Sequence, residues 1–216
     1  MKISPTLTEV KEIAKTGKYD ILPVSCEILS DFITPIEAMR ILQNVSTHCY
    51  LLESAQANEA WGRYTFLGYD PKLEINCIDG HMKLGKLSVE TENPSEYIRQ
   101  ILSEYKSPKF DYLPSFTGGL VGYFSYDYLG YKEKSIRGKA RDTEDFKDVD
   151  LMLFDKVIAF DNLCQKIILI ANMSLDAPET GYNKAIVELK QLRELLRNGE
   201  KKQNMGGKLL GEVTPL

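Results

Sequence analysis

Histidines, basic runs and long apolar runs are scarce in this sequence, and each shortage argues against a class of function. Two histidines and four cysteines occur among 216 residues, and no two cysteines form a Cys-x-x-C pair, so we expect reduced thiols and no zinc site. The net charge is −4 and no Lys/Arg cluster stands out, which argues against a nucleic-acid partner. Because the sequence shows neither a signal-peptide core nor a run long enough to span a bilayer, we expect a cytoplasmic protein with no membrane partner.

Apolar residues are plentiful enough for a folded core, and their spacing predicts four helices. Hydrophobic residues make up 43% of the chain and charged residues 27%, as in ordinary globular proteins. Each predicted helix begins with capping residues or a proline, followed by apolar residues three or four apart. The helix starts lie at Thr6, Thr34, Asn93 and Pro178, and the last helix is predicted to end at Gly199.

Between the helices lie segments rich in β-forming residues. Two hairpins are predicted, one across Asp79-Gly80 and one across the polar loop before Lys166. Since strands outnumber helices and often follow one another directly, we predict an α+β fold with antiparallel, sandwich-like β-sheets and helices packed on the outside. The other predicted strands are Ile21–Leu29, Cys49–Ser54 and Arg63–Tyr69.

Two segments lack a periodic apolar face. The charged segment Tyr131–Asp150 is predicted to be a long exposed loop, and the acids in or near it, Asp127, Asp148 and Asp150, are expected to be solvated. Residues 198–216 are rich in glycine and lysine and are predicted to form a linker.

No metalloprotease, serine-hydrolase or nucleotide-binding motif occurs in the sequence. His48 and His81 have no nucleophile in a recognisable local pattern, so structural roles are expected for both. The glycine cluster Gly118–Gly122 leads into an aromatic, strand-like stretch and not into a helix. It is therefore predicted to mark a strand packed closely against another backbone, and not a phosphate site.

Three motifs carry more information together than any of them does alone. In chain order they are Leu51–Ser54 (LLES), Gly62–Gly68 (GRYTFLG) and Ser115–Asp127 (SFTGGLVGYFSYD). The set resembles the N-terminal domain of anthranilate synthase component I, a chorismate-utilising enzyme, where the patterns are LLES, GRYSFIG and FxGGxVGYxxYD. The departures are mild, since Thr65 replaces the usual serine and Leu67 the usual isoleucine.

The resemblance implies a domain organisation and a function for a longer protein. Residues 1–197 would be a regulatory N-terminal domain, and residues 198–216 a linker toward a C-terminal catalytic domain that is missing here. The complete enzyme of that family makes anthranilate and pyruvate from chorismate and glutamine or ammonia, with Mg²⁺ and a glutamine amidotransferase subunit. No position here matches a catalytic residue or metal ligand of the family, so we expect no catalytic residue, metal site or cofactor in this chain, and no activity of the chain alone.

The resemblance also implies a site for L-tryptophan, the feedback inhibitor of that family, formed by Glu53, Ser54 and Arg63. Glu53 and Ser54 offer acceptors for the ligand ammonium, and Arg63 offers a guanidinium for the ligand carboxylate. Because strand alternation turns Glu53 and Ser54 to opposite faces, only one is expected to place its side chain in the pocket, and Ser54 is favoured.

Two alternatives stay open at this point. Aminodeoxychorismate synthase component I shares the Gly-Tyr-Phe-Ser-Tyr-Asp stretch, but LLES followed by Gly62-Arg63-Tyr64 favours anthranilate synthase. The second alternative is a free-standing amino-acid-binding module with no enzyme attached, and the linker-like tail argues against it.

Overall fold

The computed structural model describes residues 2–53, 62–133, 135 and 146–201. These residues form two antiparallel sheets and four α-helices, which is the predicted α+β arrangement. The strands are β1 (Ile3–Ser4), β2 (Ile21–Leu29), β3 (Cys49–Leu52), β4 (Tyr64–Tyr69), β5 (Leu73–Ile78), β6 (His81–Leu84), β7 (Leu87–Glu90), β8 (Gly119–Phe124), β9 (Val149–Phe154), β10 (Lys156–Asp161) and β11 (Lys166–Ser174). The helices are α1 (Leu7–Lys15), α2 (Pro35–Val45), α3 (Pro94–Ser103) and α4 (Pro178–Asn198), and a 3-10 helix spans Tyr126–Tyr131.

The larger sheet has six strands in the order β1-β2-β11-β10-β4-β3, and all neighbouring pairs are antiparallel. Its centre contains the predicted β10–β11 hairpin, in which Lys156 pairs with Ala171 and Asp161 with Lys166. On its other side β10 pairs with β4, so that Asp161 lies opposite Tyr64. The end of β3, the start of β4 and the end of β10 therefore meet at one end of the sheet.

Helices α1, α2 and α4 cover one face of this sheet with their apolar sides. The caps predicted at Thr6 and Thr34 are confirmed, and both form complete capping boxes. Each threonine hydroxyl accepts from the backbone N–H three residues later, and the glutamate at that position accepts from the threonine backbone N–H. Helix α4 has Gly199 as its C-cap, as predicted. The core on this face includes the fully or almost fully buried residues Leu22, Ile41, Leu42, Ile158, Leu169, Leu189 and Leu192.

The smaller sheet has five strands in the order β7-β6-β5-β9-β8, and α3 packs on it. The hairpin predicted across Asp79-Gly80 joins β5 to β6. Asn93 precedes α3 but gives it no side-chain cap, because the Asn93 side chain bonds instead to those of Ser95 and Glu96. The cap predicted at Asn93 is therefore wrong, although the helix itself forms.

The structure also corrects the prediction that the segment up to Asp150 is an exposed loop with solvated acids. Asp150 belongs to β9, and Asp148, just before this strand, is buried. The Asp148 Oδ2 accepts from the Tyr131 hydroxyl at 2.7 Å and from the Asp79 backbone N–H at 2.8 Å. These hydrogen bonds replace the water that the carboxylate loses on burial. Asp127 is exposed, as expected.

Parts of two predicted segments lie outside the described residues, namely 134 and 136–145 of the loop and 202–216 of the linker. The domain boundary at residue 197 therefore stays a prediction, although α4 does end at Asn198. Within the described ranges, none of the helices has the length and apolar content needed to cross a bilayer.

The glycine cluster lies on and beside the edge strand β8, where it permits the predicted close approach of two backbones. Gly122 has a φ of +150°, and a Cβ at this position would overlap the carbonyl oxygen of Asp150 on β9. Gly119 on the same strand has a similar φ of +135°, but the nearest atom to its Cβ would be 3.8 Å away, on the Phe116 ring. The two glycines thus share an unusual backbone conformation and differ in the space beside them.

Gly122→Ala is expected to lower the free energy of unfolding by about 2 kcal/mol more than Gly119→Ala. Both substitutions force an L residue into a conformation that costs about 1–3 kcal/mol, but only Gly122→Ala adds an overlap with a backbone atom. Urea unfolding of the two variants measures the difference. Equal losses would show that the β8 and β9 backbones are not in close contact at Gly122.

Candidate functional site

The larger sheet brings together two of the three residues predicted to bind a ligand. Glu53 directly follows β3 and is exposed, and Arg63 directly precedes β4 and is partly buried. Ser54 lies outside the described residues.

The register of β3 and β4 sets the spacing between these side chains. Leu52 pairs with Phe66, so one further residue along each strand sets Glu53 opposite Thr65. Arg63 then lies on the diagonal from Glu53, at a distance of about 7–8 Å. This diagonal relates the strand positions of Glu53 and Arg63, whereas the Arg63 guanidinium itself lies 4.9 Å from the centre of the Tyr64 ring.

A bidentate ion pair joins Arg63 to the last residue of β10. The Arg63 Nε donates to Asp161 Oδ1 at 3.1 Å and Nη2 donates to Oδ2 at 2.7 Å. The Asp161 side chain is 1% exposed, whereas that of Arg63 is 36% exposed. The Asp161 Oδ1 also accepts from the backbone N–H groups of Leu163 and Cys164 in the β10–β11 turn. Arg63 is thus held by the turn of a hairpin that lies far away in sequence.

The environment of Asp161 has opposing effects on the pKa of its carboxyl. Burial by itself would raise this pKa, but the hydrogen bonds from Arg63 and from the Cys164 backbone outweigh it, so the pKa lies below its ordinary value. The same pair raises the pKa of Arg63. Both groups are therefore charged at neutral pH.

A second chain of hydrogen bonds leads from the same turn to Glu53. The Asn162 side-chain amide donates to the Thr65 hydroxyl at 3.3 Å, and this hydroxyl lies 3.4 Å from Glu53 Oε1, to which it donates. Thr65 has 0% exposure, whereas Glu53 and Asn162 are exposed. We call Glu53, Arg63, Thr65, Asp161 and Asn162 the strand-end corner.

The ion pair with Asp161 limits how Arg63 could bind a ligand. Two of its guanidinium nitrogens already bind Asp161, so a ligand carboxylate would have to approach the third nitrogen, Nη1. Contact between Arg63 and a ligand stays a prediction. The ion pair with Asp161 is an additional contact that the sequence did not indicate.

Sequence reasoning missed Thr65, Asp161 and Asn162 as members of the site. The predicted β10–β11 hairpin places Asp161 and Asn162 at a turn, but a single sequence gives no signal that this turn lies beside β4. The relevant contacts join residues 97 and 98 positions apart.

The two histidines lie outside the strand-end corner, next to surface carboxylates. His48 Nε2 is 3.4 Å from a Glu74 oxygen, and His81 Nδ1 is 3.6 Å from a Glu90 oxygen. Among the described residues there is no group of three or more His, Cys, Asp or Glu side chains placed to hold a metal ion.

Several curated proteins match this chain over most of its length. Anthranilate synthase component 1 of Acetivibrio thermocellus is 34% identical over 198 residues, which cover 89% of this chain and 39% of that protein. The same component of Pseudomonas aeruginosa is 36% identical over 197 residues, covering 88% of this chain and 39% of that protein. The chain is a homologue of the N-terminal part of anthranilate synthase component I. No family model matches it.

A solved structure supports the same assignment at the level of fold. The crystal structure of anthranilate synthase component I from Streptococcus pneumoniae TIGR4 matches with a TM-score of 0.50, covering 79% of this chain and 38% of that chain. At 24% identity this likeness shows a shared fold alone. The resemblance predicted from the three motifs is confirmed, and the chain spans about 39% of the length of the curated relatives just described.

Asp161→Asn is expected to lower the free energy of unfolding by about 2–3 kcal/mol at pH 7, because it leaves Arg63 without its buried counter-charge. The pKa of Asp161 is lower in the folded chain than in the unfolded one, where it is about 3.9. The stabilisation is therefore fully present above the unfolded pKa and is lost as the pH falls through the folded pKa. Urea unfolding should show a gap between wild type and variant that is constant above about pH 5 and shrinks below about pH 4.

Asp127→Asn is the matched control, since Asp127 is exposed, and it should change the stability by less than about 0.5 kcal/mol. A gap for Asp161→Asn that stays the same from pH 7 to pH 3 would contradict the charge-based account.

Proposed function

We propose that this chain is the tryptophan-sensing, N-terminal part of an anthranilate synthase component I. The complete enzyme would be a carbon–oxygen lyase that converts chorismate and ammonia to anthranilate and pyruvate, with L-tryptophan as feedback inhibitor. The observation that carries the proposal is the pair of opposite charges, Glu53 and Arg63, at one end of a sheet in a homologue of this enzyme.

The chemical types of this pair suit a free α-amino acid. Such a ligand presents an ammonium and a carboxylate on one carbon, so it needs an acceptor and a donor on either side of it. Glu53 and Arg63 lie at strand positions about 7–8 Å apart, and the head group is proposed to lie between the Glu53 carboxylate and Nη1 of Arg63. Ser54 is proposed as a third contact.

Asp161 modifies what Arg63 contributes to binding. Because the Asp161 carboxylate already balances the guanidinium charge, a ligand carboxylate would gain a directed hydrogen bond from Nη1 more than a net electrostatic attraction. Glu53 has no such ion pair among the described residues, so its interaction with the ligand ammonium should dominate head-group recognition. Since Glu53 and the neighbouring Leu52 are exposed, the bound indole would stay partly in water, and we expect affinity weaker than micromolar.

Catalysis is proposed to belong to a part of the enzyme outside the described residues. The Mg²⁺ of such an enzyme has no fitting set of three or more carboxylate, histidine or cysteine side chains within the described residues, so we assign it no site here. The chain alone is proposed to be inactive toward chorismate. A glutamine amidotransferase subunit as ammonia donor and a cytoplasmic location complete the proposal.

Glu53→Gln is expected to weaken L-tryptophan binding by about 10- to 100-fold. The substitution keeps the shape of the side chain but removes the negative charge, and a hydrogen bond to a charged group contributes about 1.5–3 kcal/mol. Isothermal calorimetry of the 216-residue chain at high ligand concentration measures the change.

Glu104→Gln is the control, because Glu104 is an exposed glutamate at the end of α3, outside the strand-end corner. It should bind L-tryptophan as the wild type does. If Glu53→Gln also retains wild-type affinity, Glu53 is not the ammonium acceptor and the proposed site is wrong.

A further inference from the structure

Thr65 is a buried polar residue at the start of a strand whose neighbours are mostly apolar. It has 0% exposure, and its cross-strand partners are Phe160 on β10 and, by extension of the register, Glu53 after β3. A buried hydroxyl needs partners, and both of its partners here are polar side chains.

The chemistry of the groups gives the hydrogen-bond chain a direction. The Asn162 amide nitrogen can only donate, so the Thr65 oxygen accepts from it and the Thr65 proton remains available. The ionised Glu53 carboxylate can only accept, so it receives this proton. The order is therefore Asn162 to Thr65 to Glu53, and it ends at the carboxylate proposed to bind the ligand ammonium.

The last hydrogen bond, between Thr65 and Glu53, is long, so it suits a role in orienting the Glu53 carboxylate better than a role in stabilising the fold. At 3.4 Å the Thr65–Glu53 hydrogen bond is longer than the usual 2.7–2.8 Å for a hydroxyl donor, so it adds little to the folding free energy. It joins one carboxylate oxygen, Oε1, to the sheet. The second oxygen, Oε2, would then be the one that accepts from a ligand ammonium.

The same turn also positions Arg63, the second proposed ligand contact. The Asn162 backbone N–H donates to the Arg63 carbonyl oxygen at 2.9 Å, and Asp161 binds the Arg63 side chain. Two consecutive residues of the β10–β11 turn thus reach both Arg63 and, through Thr65, Glu53. Neither Asn162 nor Thr65 has to touch the ligand.

We infer that Thr65 and Asn162 are positioning residues, which act through Glu53 to orient its carboxylate for the ammonium group of an α-amino acid. This inference rests on the proposed function, because it concerns the same site. It adds a determinant of affinity that lies behind the ligand-binding residues. A substitution in this chain of hydrogen bonds should therefore affect amino-acid binding without removing any ligand contact.

Thr65→Val and Thr65→Ser separate the hydroxyl from the rest of the side chain. Thr65→Val keeps the size and loses the hydroxyl, and is expected to weaken L-tryptophan binding to the 216-residue chain by about 5- to 10-fold. Thr65→Ser keeps the hydroxyl and should restore affinity to within about twofold of wild type. Asn162→Ala, at an exposed turn position, should weaken binding in the same direction and guards against misfolding of the buried variant.

A double-mutant cycle with Glu53→Ala is the decisive readout, because alanine removes the acceptor of the Thr65 hydroxyl whereas a purely structural role would still act in that background. If Thr65 acts through Glu53, Thr65→Val has no further effect on affinity once Glu53 is alanine. Two results would overturn this inference but not the proposed function. In the first, the wild type binds L-tryptophan and neither Thr65→Val nor Asn162→Ala weakens that binding. In the second, Thr65→Val weakens binding equally with and without the Glu53 substitution. Absence of L-tryptophan binding to the wild type would overturn the proposed function and this inference with it.

Discussion

The antiparallel pairing of β10 with β4 is the constraint on which the candidate site depends. It sets Asp161 opposite Tyr64, and so brings the β10–β11 turn to the start of β4. Burial of apolar residues from both strands, including Leu67 and Ile158 at 0% exposure, stabilises this pairing. Without it Arg63 would lose its buried counter-ion and Thr65 its donor, although each would keep its sequence neighbours.

One turn therefore serves two side chains of opposite charge. Asp161 binds the Arg63 guanidinium directly, whereas Asn162 reaches Glu53 through the Thr65 hydroxyl. The acidic and the basic group at the end of the sheet are both held by residues of a hairpin that lies far along the chain. A site of this kind can be rigid at its base and open to solvent at its surface, which suits the charged head group of an amino acid.

The features that a single sequence predicts well are those whose partners are close along the chain. The capping box at Thr6 involves residues three apart, and the β10–β11 hairpin needs only one short loop. Burial of Asp148 and Asp161 cannot be predicted in this way, because their partners Asp79 and Arg63 lie 69 and 98 positions away. At the site, the motifs contain the residues proposed to touch the ligand and also Thr65, but they give Thr65 no role and do not include Asp161 or Asn162, which strand pairing brings to the site.

A ¹H–¹⁵N correlation spectrum of the chain, titrated with L-tryptophan, tests the central claim most directly. The account predicts that backbone amide shifts change first and most at Glu53, Arg63 and Asn162, at one end of the larger sheet. The opposite end of that sheet contains a cleft of about 450 Å³ lined in part by Asp70 and Lys156. Changes centred on that cleft, or no changes at millimolar tryptophan, would contradict an amino-acid site at the strand-end corner.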